Sequence, residues 1–166
     1  NGAGKSTLMN ILMGLYQRDS GDIVYKGQPI NFATPRQALK AGISIIKQEL
    51  NPVSEMTVAE NLYLGREDIH HGIWIDKKTM EKRAEKELAS LQVSINPKSK
   101  IKHLSLAQIQ LMEIVKAISY NSDIIIMDEP TSAIPVKDAE KLFSVIETLK
   151  ASGKGIIYVS HRMKEI

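Results

Sequence analysis

Residues 124–130 read Ile-Ile-Ile-Met-Asp-Glu-Pro, and this stretch decides the fold. An uninterrupted apolar run predicts a strand that is buried on both faces, here over residues 123–127. Similar buried strands are predicted at residues 43–46 and 155–159, with helical periodicity between them. Strands that alternate with helices predict a mainly parallel sheet covered on two sides. We therefore expect an α/β fold.

The segments around these strands follow from apolar periodicity and from turn residues. The stretch from about residue 51 to residue 108 interrupts the strand pattern with helical sequence. We expect it to form a helical subdomain inserted into a core of residues 1–50 and 109–166. Helices are predicted at residues 35–41, 77–93, 108–120 and 137–150. Two further helices are predicted to begin at residues 5–7 and at residue 57. A short strand pair is predicted at residues 23–25 and 28–30.

The composition is that of a globular domain. Of the 166 residues, 43% are hydrophobic and 25% are charged, with a formal net charge of +3 and no cysteine. The lack of cysteine excludes disulfides and thiolate metal sites. Basic residues interleave with acidic ones, as at residues 76–87, so we expect no nucleic-acid partner. No apolar run reaches the roughly 20 residues of a membrane span, so we expect membrane association only through a partner protein.

Residues 1–7, Asn-Gly-Ala-Gly-Lys-Ser-Thr, match the end of the phosphate-binding pattern G-x-x-x-x-G-K-[ST]. Its glycines let backbone N–H groups point at phosphate oxygens, and the following helix adds the positive end of its dipole. Lys5 would supply a cation to the β- and γ-phosphates of ATP, and the Ser6 hydroxyl would bind Mg²⁺. The first glycine of the pattern would precede residue 1, so we expect a fragment of a longer protein. The other expected phosphate-binding residues are Asn1, Gly2, Ala3, Gly4 and Thr7.

Polar side chains follow each of the three predicted strands. Asp128 and Glu129 end one strand, while His161 and Gln48 each follow one of the other two. The carboxyl ends of parallel strands share one edge of the sheet, where α/β proteins bind ligands. Asp128 would hold Mg²⁺, and Glu129 would polarise the attacking water as a general base. His161 would contact the γ-phosphate, and Gln48 would reach Mg²⁺ or the water with its carbonyl oxygen.

The order of these features resembles the ATP-binding-cassette (ABC) family. The most specific part is residues 104–108, Leu-Ser-Leu-Ala-Gln, which resemble the family's signature segment, usually Leu-Ser-Gly-Gly-Gln. Residues 117–121 (Ala-Ile-Ser-Tyr-Asn) and 128–132 (Asp-Glu-Pro-Thr-Ser) look like those of simple-sugar importers of the ribose and galactose or methyl-galactoside type. In such importers two ATPase domains are fused in one chain, and this sequence resembles the first.

The resemblance implies a P-loop fold, ATP hydrolysis with Mg²⁺ and a set of partners. Two nucleotide-binding domains would meet head to tail, each completing the ATP site of the other. The helical subdomain would dock on transmembrane permease subunits at the cytoplasmic face of the membrane, and a sugar-binding protein would act through them. The residues that would touch ATP on the opposing domain are Ser105, Leu106, Ala107 and Gln108.

Two residues depart from the family pattern. The Ala107 methyl group would crowd a backbone that approaches phosphate, and Pro135 removes an N–H from the loop after Glu129.

The alternative function is that of a non-transport member of the superfamily that acts on nucleic acid or ribosomes. Residues 50–103 lack the sustained heptads of a coiled coil, and no basic linker is present, which disfavours it. A nucleotide sensor without hydrolysis is disfavoured because all the expected chemical groups are present.

Overall fold

The computed structural model describes residues 4–70, 74–132 and 134–162. Helices and strands alternate along much of the chain, as predicted. The antiparallel pair β1–β2 is the strand pair expected around residues 26 and 27. In chain order the elements are α1 (Lys5–Leu12), β1 (Val24–Tyr25), β2 (Gln28–Pro29), α2 (Pro35–Lys40), β3 (Ile43–Ile46), α3 (Val58–Leu62), β4 (Ile69–His70), β5 (Trp74–Ile75), α4 (Lys77–Ser90), a 3₁₀ turn (Ile101–His103), α5 (Leu106–Ser119), β6 (Ile124–Asp128), α6 (Val136–Ala151) and β7 (Gly155–Val159).

The sheet consists of three parallel strands in the order β3-β6-β7. This arrangement confirms the predicted α/β fold with a parallel sheet. β6 is central, and its Ile125, Ile126 and Met127 are fully buried. β7 pairs only with β6 among the described strands, and its Ile157 is 42% exposed. The prediction of a fully buried strand is therefore wrong for β7, which the described elements cover less completely than β6.

Helices pack against both faces of the sheet. Ile125 and Met127 of β6 join a large cluster that includes side chains of α5 and α6, such as Met112 and Leu142. Ile126 joins a smaller cluster with side chains of α1 and α2. Successive strand residues point to opposite faces, so the two clusters lie on the two sides of the sheet. Their burial holds the end of β6 in a fixed position.

Two helix boundaries differ from the predicted ones by two residues or more. α5 begins at Leu106 rather than at residue 108, because Ser105 already caps the helix. Leu106, Ala107 and Gln108 of the segment that resembles the signature therefore lie in its first turn, and only Leu104 and Ser105 precede the helix. α4 ends at Ser90 rather than at residue 93, because Gln92 adopts a left-handed conformation with φ of 55°.

The helical insertion, which we define as residues 51–108, is built mainly from α3 and α4. The Thr57 hydroxyl accepts the Glu60 N–H at 3.2 Å, and the Glu60 carboxylate accepts the Thr57 N–H at 2.8 Å. This is the predicted capping box at the start of α3. Leu88 of α4 is 1% exposed and belongs to the large cluster. The division of the chain into core and insertion stays a prediction.

A small hairpin formed by β4 and β5 also lies in the insertion, and the sequence does not predict it. None of the helices in the described ranges is long and apolar enough to cross a membrane.

Candidate functional site

The strand-end cluster, which we define as Lys5, Asp128, Glu129 and His161, lies at one edge of the sheet. Asp128 ends β6 and pairs in register with Val159, the last residue of β7. The segments that follow the two strands therefore run side by side. His161 Nδ1 lies 2.9 Å from Glu129 Oε1. The structure thus brings together two side chains that the sequence places at the same sheet edge.

The two members of this pair differ in their access to solvent. The Glu129 side chain is 17% exposed, whereas that of His161 is 66% exposed. The carboxylate is sheltered, and the imidazole is open to an incoming ligand. Such a pair can hold one oxygen of Glu129 in place while His161 contacts a group that arrives from solvent.

The backbone at Glu129 is held in an uncommon conformation. Its φ is 49°, in the left-handed region that residues with a β-carbon rarely adopt. The Glu129 N–H donates to the Val159 carbonyl oxygen at 2.8 Å, which continues the pairing of β6 with β7 past the strand end. Backbone conformations of this kind concentrate at functional sites, where the surrounding structure enforces them. Here β7 supplies that constraint.

Burial raises the pKa of the Asp128 carboxyl, and the negative charge of Glu129 raises it further. The charges of Lys5 and Lys47 act in the opposite direction. Two acids at one strand end therefore favour the arrival of a cation. The charge of Lys5, in the first turn of α1, thus acts on Asp128.

The acids of the cluster suit Mg²⁺ that arrives with a nucleotide. Among the residues described, no group of three or more His, Asp or Glu side chains could hold a metal ion by itself. Mg²⁺ commonly binds through one or two carboxylates together with substrate phosphates and water. Asp128 fits that mode of binding, and the Ser6 hydroxyl on α1 is the expected second ligand.

The start of α1 has the backbone of a phosphate-binding turn. Gly4 precedes the helix with φ of 75°, a conformation that favours glycine. A β-carbon at Gly4 would meet no atom within 4 Å, so the space beside it is open. Lys5, Ser6 and Thr7 are exposed in the first turn. Asn1, Gly2 and Ala3, also predicted to bind phosphate, lie outside the described residues.

Gln48 lies just past the end of β3, on the same sheet edge. β3 pairs with β6 up to Ile46 and Met127, so Lys47 comes level with Asp128 and Gln48 lies one residue beyond. The Gln48 side chain is exposed, and no hydrogen bond joins it to another described residue. The structure therefore places Gln48 near the cluster without a contact to it.

Ser105 and Gln108 form a capping box at the start of α5. The Ser105 hydroxyl accepts the Gln108 N–H at 3.2 Å, and Gln108 Oε1 accepts the Ser105 N–H at 2.9 Å. The next two N–H groups, of Leu106 and Ala107, have no acceptor within the helix, because the first turn of any helix lacks one. Leu106 is 42% exposed. These residues form a separate exposed surface and do not join the strand-end cluster.

The structure also shows a contact near the cluster that the sequence does not predict. Arg162, directly after His161, donates from Nη2 to the Ser132 carbonyl oxygen at 3.1 Å. Only its place beside His161 could have drawn attention to it, because the partner lies 30 residues away in the chain.

A second surface that the sequence does not predict is a cavity of about 620 Å³, which we name the basic groove. The Arg66 guanidinium lies 3.6 Å from the centre of the Tyr120 ring and donates to the Ser119 carbonyl oxygen at 2.8 Å. Arg66 thereby joins the end of α3 to the end of α5. No acidic side chain is among the described residues that line the groove. They are Arg36, Leu39, Lys40, Gly65, Arg66, Ser119, Tyr120 and Asn121.

Comparison with known proteins identifies relatives that match the whole chain. The sequence pattern of the ABC transporter family matches residues 1–132. A Pseudomonas fluorescens protein, provisionally named ribose/galactose/methyl galactoside import ATP-binding protein, is 51% identical over all of this chain and 32% of its own length. The galactose/methyl galactoside import ATP-binding protein MglA of Pasteurella multocida is 49% identical over the whole chain and 33% of its own length. The chain thus spans about a third of the length of these relatives.

Solved structures show the same architecture. A crystal structure of a nucleotide-free ATP-binding cassette from an ABC transporter matches with a TM-score of 0.84 and 32% identity, over 99% of this chain and 68% of that one. A dimeric post-hydrolysis cassette bound to ADP and Pi matches with a TM-score of 0.76 and 26% identity, over 98% and 72%. The family pattern covers most of the chain, and the relatives cover all of it. The chain belongs to the ABC transporter family.

Proposed function

We propose that the protein containing this chain binds and hydrolyses ATP at the strand-end cluster. The observation that carries the proposal is the 2.9 Å contact between His161 and Glu129, beside Asp128 and close to the first turn of α1. A sheltered acid and an exposed imidazole meet at the sheet edge where this fold binds ligands, and the charge of Lys5 acts on the neighbouring Asp128. The match to ATP-binding cassettes supports the same reading.

Each residue has a distinct task in this proposal. Lys5 and the N–H groups of residues 1–7 bind the phosphates, while Ser6, Asp128 and Gln48 hold Mg²⁺, which neutralises charge on the phosphates. Glu129 accepts a proton from water as the water oxygen attacks the γ-phosphorus. The bond from that phosphorus to the ADP oxygen breaks, and ADP and phosphate leave. His161 contacts the γ-phosphate and keeps Glu129 oriented.

The start of α5 serves a second ATP molecule in the proposed assembly. Its exposed N–H groups and the positive end of the helix dipole suit an anion. The capping box occupies the N–H groups of Ser105 and Gln108 and leaves those of Leu106 and Ala107 available. We therefore place the γ-phosphate of an ATP bound by the partner nucleotide-binding domain beside Leu106 and Ala107. The similar dimeric cassette with ADP and Pi supports such pairing.

The proposed cellular role is the uptake of a simple sugar, either galactose and methyl galactoside or ribose. It is supported by two relatives, at 51% and 49% identity, that are named for sugar import. These proteins are about three times as long as the chain, so we also propose a second nucleotide-binding domain in the complete protein. The complete protein would bind permease subunits at the cytoplasmic face of the membrane and act with a sugar-binding protein.

The basic groove is the surface that we assign to the permease. It lies between α2 and the ends of α3 and α5, so a segment seated there would contact both the core and the helical insertion. Arg36 and Lys40 form no ion pair with any described residue, although many other cations of the chain do. A permease helix that fills the groove is therefore expected to carry acidic side chains.

Substitution of Glu129 in the complete protein, assembled with its permease and sugar-binding protein in vesicles, tests the proposal. Glu129→Gln keeps the size of the side chain and removes the proton acceptor, so we expect hydrolysis to fall by about 10²-fold or more. ATP should still bind, and sugar uptake should stop. Glu147→Gln is the matched control, because Glu147 is exposed on α6 and, among the described residues, pairs with nearby Lys150 alone.

The two halves of the proposal can fail separately. Hydrolysis near the wild-type rate in Glu129→Gln would show that Glu129 is not the general base. Normal hydrolysis by the unchanged protein without ATP-dependent uptake of galactose, methyl galactoside or ribose would exclude the transport role and leave the ATPase role standing.

A further inference from the structure

The described part of the loop that starts at Glu129, residues 129–132, 134 and 135, which we name the acid loop, is tied to the end of β7 at several points. Its own turns are closed by two backbone hydrogen bonds of 3.1 Å. The Ser132 N–H donates to the Glu129 carbonyl oxygen, and the Ile134 N–H donates to the Thr131 carbonyl oxygen. Thr131 and Ile134 are buried, at 1% and 5% exposure. The ties to β7 and its extension are Glu129 N–H to Val159 O at 2.8 Å, Thr131 Oγ1 to Tyr158 OH at 3.4 Å, and Arg162 Nη2 to Ser132 O at 3.1 Å.

Arg162 makes the tie that lies farthest from the sheet. Its backbone N–H donates to the Ser160 hydroxyl at 3.0 Å, which closes a turn around His161. Its guanidinium donates to the Ser132 carbonyl at 3.1 Å. His161 and Arg162 are consecutive residues, so the same turn touches the acid loop at Glu129 and again at Ser132. A charged donor makes a stronger bond to a carbonyl than a neutral one does.

We propose that Arg162 is a positioning residue that couples His161 to the acid loop. The proposal rests on the ATPase function proposed above. When His161 turns toward a bound γ-phosphate, the turn of residues 160–162 moves with it, and Arg162 moves the Ser132 carbonyl. Because the acid loop is closed by its own hydrogen bonds and runs directly into α6, the displacement reaches Glu129 on one side and the start of α6 on the other. Arg162 touches neither ATP nor water in this account.

The test uses the complete protein with Arg162→Met, which keeps the length of the side chain and removes its donors. Without the tie, Glu129 and His161 lose their common support, so we expect kcat to fall about tenfold while KM for ATP changes less than about twofold. Arg162→Lys, which retains a charged donor, should restore kcat to within about threefold of wild type. Lys154→Met is the matched control, because Lys154 lies at the opposite end of β7, beside Asp123.

A double substitution separates coupling from a general loss of structure. If Arg162 acts through His161, then Arg162→Met combined with His161→Ala should be no slower than His161→Ala alone. If the losses of kcat from the two single substitutions multiply in the double variant, the proposal is wrong. A kcat for Arg162→Met within about twofold of wild type, or an equal loss of kcat in Lys154→Met, would also overturn it.

A binding measurement gives a readout without turnover. In a Glu129→Gln background, hydrogen exchange at the Ile134 amide should slow when Mg·ATP binds, and Arg162→Met should abolish this slowing while Lys154→Met keeps it. Slowing that persists in Arg162→Met would overturn the role of Arg162 alone. Failure of Mg·ATP to bind to the protein with Arg162 intact would overturn both this proposal and the ATPase function.

Discussion

The helical insertion and the strand-end cluster treat charge in opposite ways. In the insertion, acids and bases lie next to each other, as in the pairs of Lys77 with Glu60 and Arg83 with Asp68. In the cluster, two acids stand side by side, and the pKa of Asp128 is raised by burial and by Glu129. These ion pairs balance charge locally in the insertion, whereas the cluster leaves two adjacent acids whose charge a cation can neutralise.

The backbones of the two regions also differ, because side chains cap the helices of the insertion whereas the cluster contains a residue in an uncommon conformation. Side chains cap both helices of the insertion, with Thr57 at the start of α3 and Asp76 at the start of α4. Glu129 is instead held at a positive φ by its bond to β7. The comparison indicates that buried side chains of the insertion supply stability, while the cluster gives up some stability for function.

The largest expected effect on stability is in the insertion. Leu88→Ala removes a side chain that is 1% exposed, and we expect the free energy of unfolding to fall by about 2–5 kcal/mol. The change in the free energy of unfolding is measured by urea unfolding of the complete protein, monitored through hydrogen exchange of the α4 amides. Lys86→Ala, on an exposed position of the same helix, is the control and should change little. Equal effects of the two substitutions would show that the insertion does not depend on this packing.

A smaller effect of opposite sign is expected at the cluster. The raised pKa of Asp128 means that its charged form destabilises the folded protein, so this cost is present at neutral pH and absent in acid. Asp128→Asn should therefore raise the melting temperature of the nucleotide-free protein at pH 7 by about one or two degrees. The gain should disappear as the pH falls through the raised pKa toward the ordinary aspartate value of about 3.9.

Asp123, just before β6, supplies the matched control for that measurement. Its hydrogen bond to Lys26 is the main cause of a lowered pKa, so its charged form stabilises the folded protein. Asp123→Asn should lower the melting temperature at neutral pH, and the loss should shrink as the pH falls through the lowered pKa. The same sign for both substitutions would contradict the difference between the two ends of β6.

Sequence was sufficient for features that depend on local pattern or on parallel topology. The apolar runs located β3 and β6, the Thr57–Glu60 spacing located the start of α3, and the strand-end rule placed His161 near Glu129. The positive φ of Glu129 could not be predicted, because it depends on a hydrogen bond to a residue on another strand. The same limit applies to the contact between Arg162 and Ser132, which tertiary structure creates.

The extent to which a strand is buried and the presence of very short strands also could not be predicted from the sequence. Ile157 lies in an apolar run, yet its exposure depends on what packs over β7 and not on its neighbours in the chain. The β4–β5 hairpin has strands of two residues, too short to show alternation. The basic groove brings together residues from α2, the end of α3 and the end of α5, which no local pattern connects.

The most direct test asks whether the two regions act on different ATP molecules. Ser105→Arg places a large cation at the start of α5, and hydrolysis is then measured separately at each site of a mixed-site complete protein. We expect the opposing site to lose about tenfold or more of its activity, while the site that contains Lys5 retains its own chemistry. Loss confined to the Lys5 site, or unchanged hydrolysis at the opposing site, would contradict the head-to-tail arrangement.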